Sequence, residues 1–208
     1  CCKEAESVTP HSKTAMSFVL RVRGDIHLRD GNPNEASKYL HDGIKLDPSP
    51  PTLYALDAYG RALYESEKWE EAAVCFGKCA DLKNKSWYLY RIAMCLNNSG
   101  KLDEALSCIS AAIAENPEKS LHTYYNSKGM LFQKKKSHED AAECFEKALE
   151  IKPNDHRILS QMGYSLAHLG IIDRCLTCYD KALEAKPNDW DVWASKYHAM
   201  RILSEAQE

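Results

Sequence analysis

No apolar run in this sequence approaches the roughly 18 residues that a membrane span needs. The opening stretch CCKEAESVTPHSK also lacks the apolar core of a signal peptide. A soluble, cytoplasmic protein without a membrane partner is therefore expected, with residues 1–13 as a flexible lead-in. The chain opens on Cys1 rather than methionine, as a fragment of a longer protein would. Charge of one sign is scarce too, since 27 Lys and Arg stand against 30 Asp and Glu for a net charge of -3. The one basic run, Lys134, Lys135 and Lys136, falls at a predicted turn, where a solvated loop is expected rather than nucleic-acid binding. There is no Gly-rich phosphate loop, no G-x-S-x-G and no H-E-x-x-H, so no catalytic residues and no cofactor are predicted.

What is present is a repeat. Small residues recur at Gly24, Gly60, Ala93, Gly129 and Gly163, 33 to 36 positions apart. Twelve positions after each comes Ala36, Ala72, Ala105, Ala141 or Cys175, and four further on a bulky apolar residue: Leu40, Phe76, Ile109, Phe145 or Tyr179. Three more positions lead to Gly43, Cys79, Ala112, Ala148 or Ala182. Most units close on proline, at Pro48, Pro117, Pro153 and Pro187, with Asn84 in its place once. Small residues at fixed points of successive helices let their backbones approach closely. Each unit is thus predicted to be a helical hairpin. Its first helix of roughly fourteen residues stops at a polar turn such as Asp30-Gly31-Asn32-Pro33, and its second helix starts on acidic residues such as Glu35, Glu70 and Asp103. One such hairpin cannot bury its apolar face alone, so neighbours must stack.

At these residues the sequence resembles the tetratricopeptide repeat family, whose 34-residue unit has the signature W-x2-L-G-x2-Y, A-x3-F and P. The fourth copy matches most fully, with Tyr125, Gly129, Phe132, Ala141, Phe145, Ala148 and Pro153. Lys128 departs from the pattern, sitting where an apolar residue is usual. The resemblance implies an all-α, right-handed superhelical α-solenoid forming one array over 14–208. Its repeats fall at about 17–50, 53–85, 86–119, 122–155 and 156–189, followed by a cap helix at about 190–206.

The nine cysteines carry no metal or disulfide framework. Cys75, Cys108, Cys144 and Cys178 share one repeat position, so they form a ladder whose rungs are set by helix spacing. At roughly 8–10 Å that spacing exceeds the roughly 7 Å limit for a disulfide. The C-x2-C at Cys175 and Cys178 lies inside a helix and has no second pair to complete a zinc site. Cys75 and Cys79, one turn apart, are expected as small core or near-core residues, and a reducing compartment suits the set. His27 stands where other units have Leu63, Leu96, Phe132 and Leu166, so a packing role is expected.

What the resemblance adds is a concave groove lined by the first helix of each repeat. Its candidate peptide-binding residues are Arg21, Tyr54, Arg61, Trp87, Tyr90, Arg91, Met94, Asn98, Asn126, Met130, Arg157 and Tyr164. Across all the groove positions six basic residues face three acids, so the groove is read as mildly basic and aromatic. Such a surface suits an extended, acidic peptide of another protein. The carboxylate clamp of chaperone-binding relatives is not reproduced, because Asp25, Ala58 and Trp87 occupy places where it needs lysine or asparagine. Nor is the asparagine ladder of O-GlcNAc transferase, whose places hold Val22, Ala58, Arg91, Ser127 and Gln161. The expected function is a non-enzymatic interaction scaffold. Self-association through the terminal repeat, with Trp190 and Trp193, and service as a docking region of a larger enzyme are the alternatives.

Overall fold

The computed structural model describes residues 10–47, 49–115 and 119–205. Pro48, Pro117, Ala206 and the first nine residues of the expected lead-in lie outside the described residues. Eleven α-helices run along the described chain. They are α1 (Pro10–Arg29), α2 (Pro33–Leu46), α3 (Leu53–Glu65), α4 (Trp69–Leu82), α5 (Lys85–Asn98), α6 (Leu102–Ala114), α7 (Leu121–Lys134), α8 (His138–Ile151), α9 (His156–His168), α10 (Ile172–Ala185) and α11 (Trp190–Glu205). The fold is an all-α solenoid of helical hairpins. The helix α1 is longer than expected, starting within the predicted lead-in at Pro10, a residue whose fixed φ suits a first helical position. The chain gathers into two compact units that divide between Cys108 and Ile109, within α6.

In the first unit α1 packs on α2, α2 on α3, α3 on α4 and α4 on α5. In the second the same sequence of neighbours runs from α7 to α11. The repeat residues build both cores. Phe76, Phe145 and Tyr179 are fully or almost fully buried, each facing the glycine of its own first helix. A Cβ at Gly60 would lie 2.7 Å from the Phe76 ring, and one at Gly163 2.8 Å from Tyr179. Ala72, Cys79, Ala141, Ala148, Cys175 and Ala182 have no exposed surface. Cys75, Cys144 and Cys178 are buried as well, Cys108 is half-buried, and none of these thiols is in a disulfide. The departure at Lys128 is accommodated by its own helix, with the ammonium 5.9 Å from the centre of the Phe132 ring. His27 stacks on Tyr39, with ring centres 5.2 Å apart.

All five turns between the helices of a hairpin close in one way. The N–H groups of Gly31 and Asn32 donate back to Leu28 and His27, and the same pair of bonds recurs at Glu67 and Lys68, Gly100 and Lys101, Lys136 and Ser137, and Gly170 and Ile171. This is the Schellman pattern, which places its fifth residue in the left-handed region. Three of those residues are glycine, but Glu67 and Lys136 hold φ of 61° and 60°. A side chain there costs about 1–2 kcal/mol. Lys136→Gly is therefore expected to stabilise the chain, by a net 0.5–1 kcal/mol or so once the added freedom of the unfolded glycine is subtracted. The measurement is the urea midpoint, and an unchanged or lowered value would contradict it. Where the proline is missing, the connection from α4 to α5 shortens to Lys83 and Asn84, and Asn84 takes up the left-handed conformation with φ of 54°.

Candidate interaction groove

In the first unit the candidate residues lie on α1, α3 and α5. Burial and pairing divide them. Arg21 is bound to the end of its own hairpin, with Nη2 3.4 Å from Asp47 Oδ2 and both side chains mostly covered. Beside it the Ser17 hydroxyl donates to the Gly43 carbonyl at 2.7 Å. Asp47 is held below the usual carboxylate range, first by the backbone N–H and hydroxyl of Ser49 and then by Arg21. Arg61 pairs with Asp57, one turn earlier on α3, at 3.4 Å. The exposed Tyr54 donates its hydroxyl to Asp25 Oδ2 at 2.6 Å, and that bond raises its pKa. Between these groups is a polar hollow of about 340 Å³, lined by Asp25, Leu28, Arg29, Tyr54, Arg61 and Glu65.

Arg91 has a different environment. Its guanidinium carbon lies 4.7 Å from the centre of the Phe76 ring and 5.4 Å from that of Tyr64. Among the described residues no carboxylate pairs with it. Tyr64 is fixed in turn by the edge-on ring of Trp69, 5.0 Å away, and by the Asn98 amide, which donates to its hydroxyl at 3.0 Å. On the same helix Trp87 and Tyr90 lie with ring centres 5.7 Å apart, Trp87 exposed and Met94 half-buried. Arg91, Tyr64, Asn98 and the aromatic backing thus form one assembly.

The second unit carries the rest. Asn126 approaches the sulfur of the exposed Met130, 3.9 Å away on the next turn of α7. Gln133 donates to the Gln161 carbonyl and the Ser165 hydroxyl, both at 2.8 Å, tying α7 to α9. Arg157 is exposed on the first turn of α9. Tyr164 joins two histidines absent from the predicted set, with its ring 4.5 Å from His168, which stacks on His138 at 4.3 Å. Burial and then the charge of His168 hold His138 below its ordinary pKa. Sequence reasoning missed Asp47, Phe76, Trp69 and His138 as neighbours of the candidate residues. For Phe76 the signal was present, since the bulky position of every second helix faces the first.

Profiles of the tetratricopeptide repeat match residues 88–119 and 123–155, the hairpins α5–α6 and α7–α8. These two hairpins carry tetratricopeptide repeats. The chain's hairpins are shared with solved structures of low sequence identity. MamA, residues 41 to the end, from Desulfovibrio magneticus RS-1 superposes with a TM-score of 0.71 at 20% identity, over 84% of this chain and 97% of that one. A tetratricopeptide repeat protein from Parabacteroides merdae gives 0.77 at 18%, over 91% and 74%. YrrB, described as a repeat protein with an unusual peptide-binding site, gives 0.67 at 17%, over 86% and 90%. No curated protein matches the chain in sequence. At such identities the likeness concerns the repeat fold. Among the described residues there is no cluster of three or more histidine, cysteine, aspartate or glutamate side chains suited to a metal ion, and no helix long and apolar enough to cross a membrane.

Proposed function

We propose that the chain is a non-enzymatic protein-interaction scaffold whose first unit holds an acidic peptide segment of a partner protein, with Arg91 taking a carboxylate. The observation that carries this reading is the guanidinium of Arg91 against Phe76 and Tyr64, with no acid paired to it among the described residues. Stacking uses the faces of the planar group and leaves its N–H edges available, the geometry that binds a carboxylate through two parallel hydrogen bonds. Arg21 and Arg61 already have Asp47 and Asp57, so of the three candidate arginines of this unit Arg91 is the one backed by rings instead of an acid. Trp87 and Tyr90 supply the rigid aromatic area that dominates binding energetics elsewhere. YrrB, described as having an unusual peptide-binding site, is in keeping with the use of this fold for holding peptides.

The test uses short fluorescent peptides rich in Asp and Glu beside copies in which those residues are Asn and Gln. The acidic set is expected to bind more tightly, with the advantage shrinking at high salt. The double change Trp87→Ala with Arg91→Glu is expected to weaken it by about 30-fold or more, as loss of a binding hot spot does. Unchanged helical circular dichroism keeps this separate from unfolding. Equal binding of acidic and amide peptides, or equal binding by the variant, would overturn the proposal.

A further inference from the structure

The charges around the hollow between α1 and α3 do not cancel. Arg61 is taken by Asp57. That leaves Asp25 and Glu65 against Arg29, two acids to one base. Glu65 and Arg29 are exposed and in no ion pair among the described residues, so Arg29 is not paired with Asp25, one turn before it on α1. Asp25 accepts the Tyr54 hydroxyl through Oδ2, but its Oδ1 is buried with no hydrogen-bond donor among the described residues. A buried carboxylate oxygen without a donor is costly, and a charge-assisted hydrogen bond removes that cost. The hollow is therefore complementary to a cationic donor. Its shape narrows the class. Beside the polar groups stand Leu28 and the exposed ring of Tyr54. Such surfaces suit the methylene stem of lysine or arginine, which lies along apolar groups while its charged head reaches polar ones. At about 340 Å³ the hollow has room for one long side chain, being near the lower end of the roughly 300–1,000 Å³ of ligand pockets.

We propose that the hollow takes a lysine or arginine side chain of the same partner segment whose carboxylate is held by Arg91, an inference that rests on the peptide-binding reading above. The helix α3 joins the two places. Glu65 borders the hollow, and Tyr64, the residue before it, lies against the Arg91 guanidinium and accepts from Asn98. Packed helices stand roughly 8–10 Å apart, and an extended chain covers about 3.3 Å per residue. One step along the first helices therefore separates the basic from the acidic residue by about three positions in the segment. A second acid in the hollow would meet Asp25 and Glu65, so the two ends of the site discriminate in opposite senses.

The experiment titrates the whole chain with short fluorescent peptides of neutral polar residues that carry Lys-x-x-Glu or Glu-x-x-Lys. Each has copies with the lysine, or the glutamate, replaced by glutamine. The amino termini are acetylated, so the side chain is the one cation offered. The tighter of the two orders is expected to lose about tenfold in affinity when its lysine becomes glutamine, as for one charge-assisted hydrogen bond. In Asp25→Asn with Glu65→Gln that loss is expected to shrink to about twofold or less, while the loss from replacing the glutamate persists. An asparagine still accepts the Tyr54 hydroxyl, and Glu65→Gln alone, at an exposed site, gives the same readout should the double variant fail to fold. Equal binding of lysine and glutamine peptides, with the glutamate still required, would overturn this inference and leave the Arg91 reading standing. A lysine effect with no glutamate effect would overturn the Arg91 reading, and with it the pairing of the two charges. A lysine effect of equal size in the wild type and the variants would put the base elsewhere and overturn the hollow as its site.

Discussion

Gly129→Leu is expected to lower the stability of the chain by about 3 kcal/mol, or to unfold its second unit outright. A Cβ on Gly129 would lie 2.6, 2.8 and 2.9 Å from three carbons of the Phe145 ring, before the rest of a leucine is added. The ring cannot move aside, because Phe145 has no exposed surface and sits in one cluster with Ala141, Ala148 and Met162. The helices α7 and α8 must therefore separate, which opens the packing of every residue between them. At roughly 2–4 °C per kcal/mol for a chain of this size, the melting temperature falls by about 6–12 °C. Gly77 gives the opposite sign. A Cβ there meets nothing within 4 Å, so Gly77→Ala in the interior of α4 is expected to stabilise by about 0.5–1 kcal/mol. A Gly129→Leu protein that melts with the wild type would mean that α7 does not approach α8 at this residue.

That contrast shows why the hairpins were legible in the sequence. A position that must be small for a backbone approach repeats in every unit, so Gly60, Gly129 and Gly163 stand out by period, while Gly77, outside the period, has open space around it. Gly31 announced its turn for a related reason, and it shares its positive φ with Gly100 and Gly170. Glu67 and Lys136 adopt the same conformation without that mark, because the hydrogen bonds of the turn and the packing of both helices outweigh a cost of about 1–2 kcal/mol. Local propensity lost to tertiary structure there.

The groove was less legible, for a physical reason. Repeat spacing assigns a residue to a face, but it does not say which neighbour neutralises it. Arg21 and Arg91 were equivalent as groove cations, and the structure separates them by what lies beside each. Asp47, beyond the end of α2, reaches Arg21, whereas Phe76 of α4 backs Arg91. Asp47 belongs to a connecting segment outside the repeat signature, so nothing periodic pointed to it. The chain's modest net charge hides the same distinction, since Arg61 and Asp57 cancel within one turn of α3 while Arg91 has no paired carboxylate among the described residues.

Alkali should dismantle this protein through its thiols. Burial pushes Cys75, Cys144 and Cys175 up to about 11 and Cys79 and Cys95 up to about 12, and it raises Cys178 as well. In the unfolded chain the same thiols titrate near 8.5, roughly. Between those values the unfolded state has released protons that the folded state keeps, so stability falls as pH rises. The stabilisation is complete below about pH 8.5 and is lost progressively towards pH 11–12, at about 1.4 kcal/mol per unit for each thiol fully affected. Two such thiols over two pH units remove about 5 kcal/mol, comparable to the whole stability of many domains. Tyr88, raised to about 12 by burial, adds to the slope at its upper end. Urea midpoints are expected to be level from pH 7 to about 8.5 and then to drop steeply. Cys79→Ala with Cys95→Ala should flatten the drop while lowering the midpoint at pH 7, because each change removes a core atom together with its titration. Alkylation gives an independent measure, since at pH 8 a thiol raised by two to three units holds about 100- to 1,000-fold less thiolate than an ordinary one and should react correspondingly slowly until the chain opens. Rapid labelling of Cys79 and Cys95 in the folded chain, or a midpoint level through pH 10, would show that these thiols are reached by water and that their burial does not protect the fold.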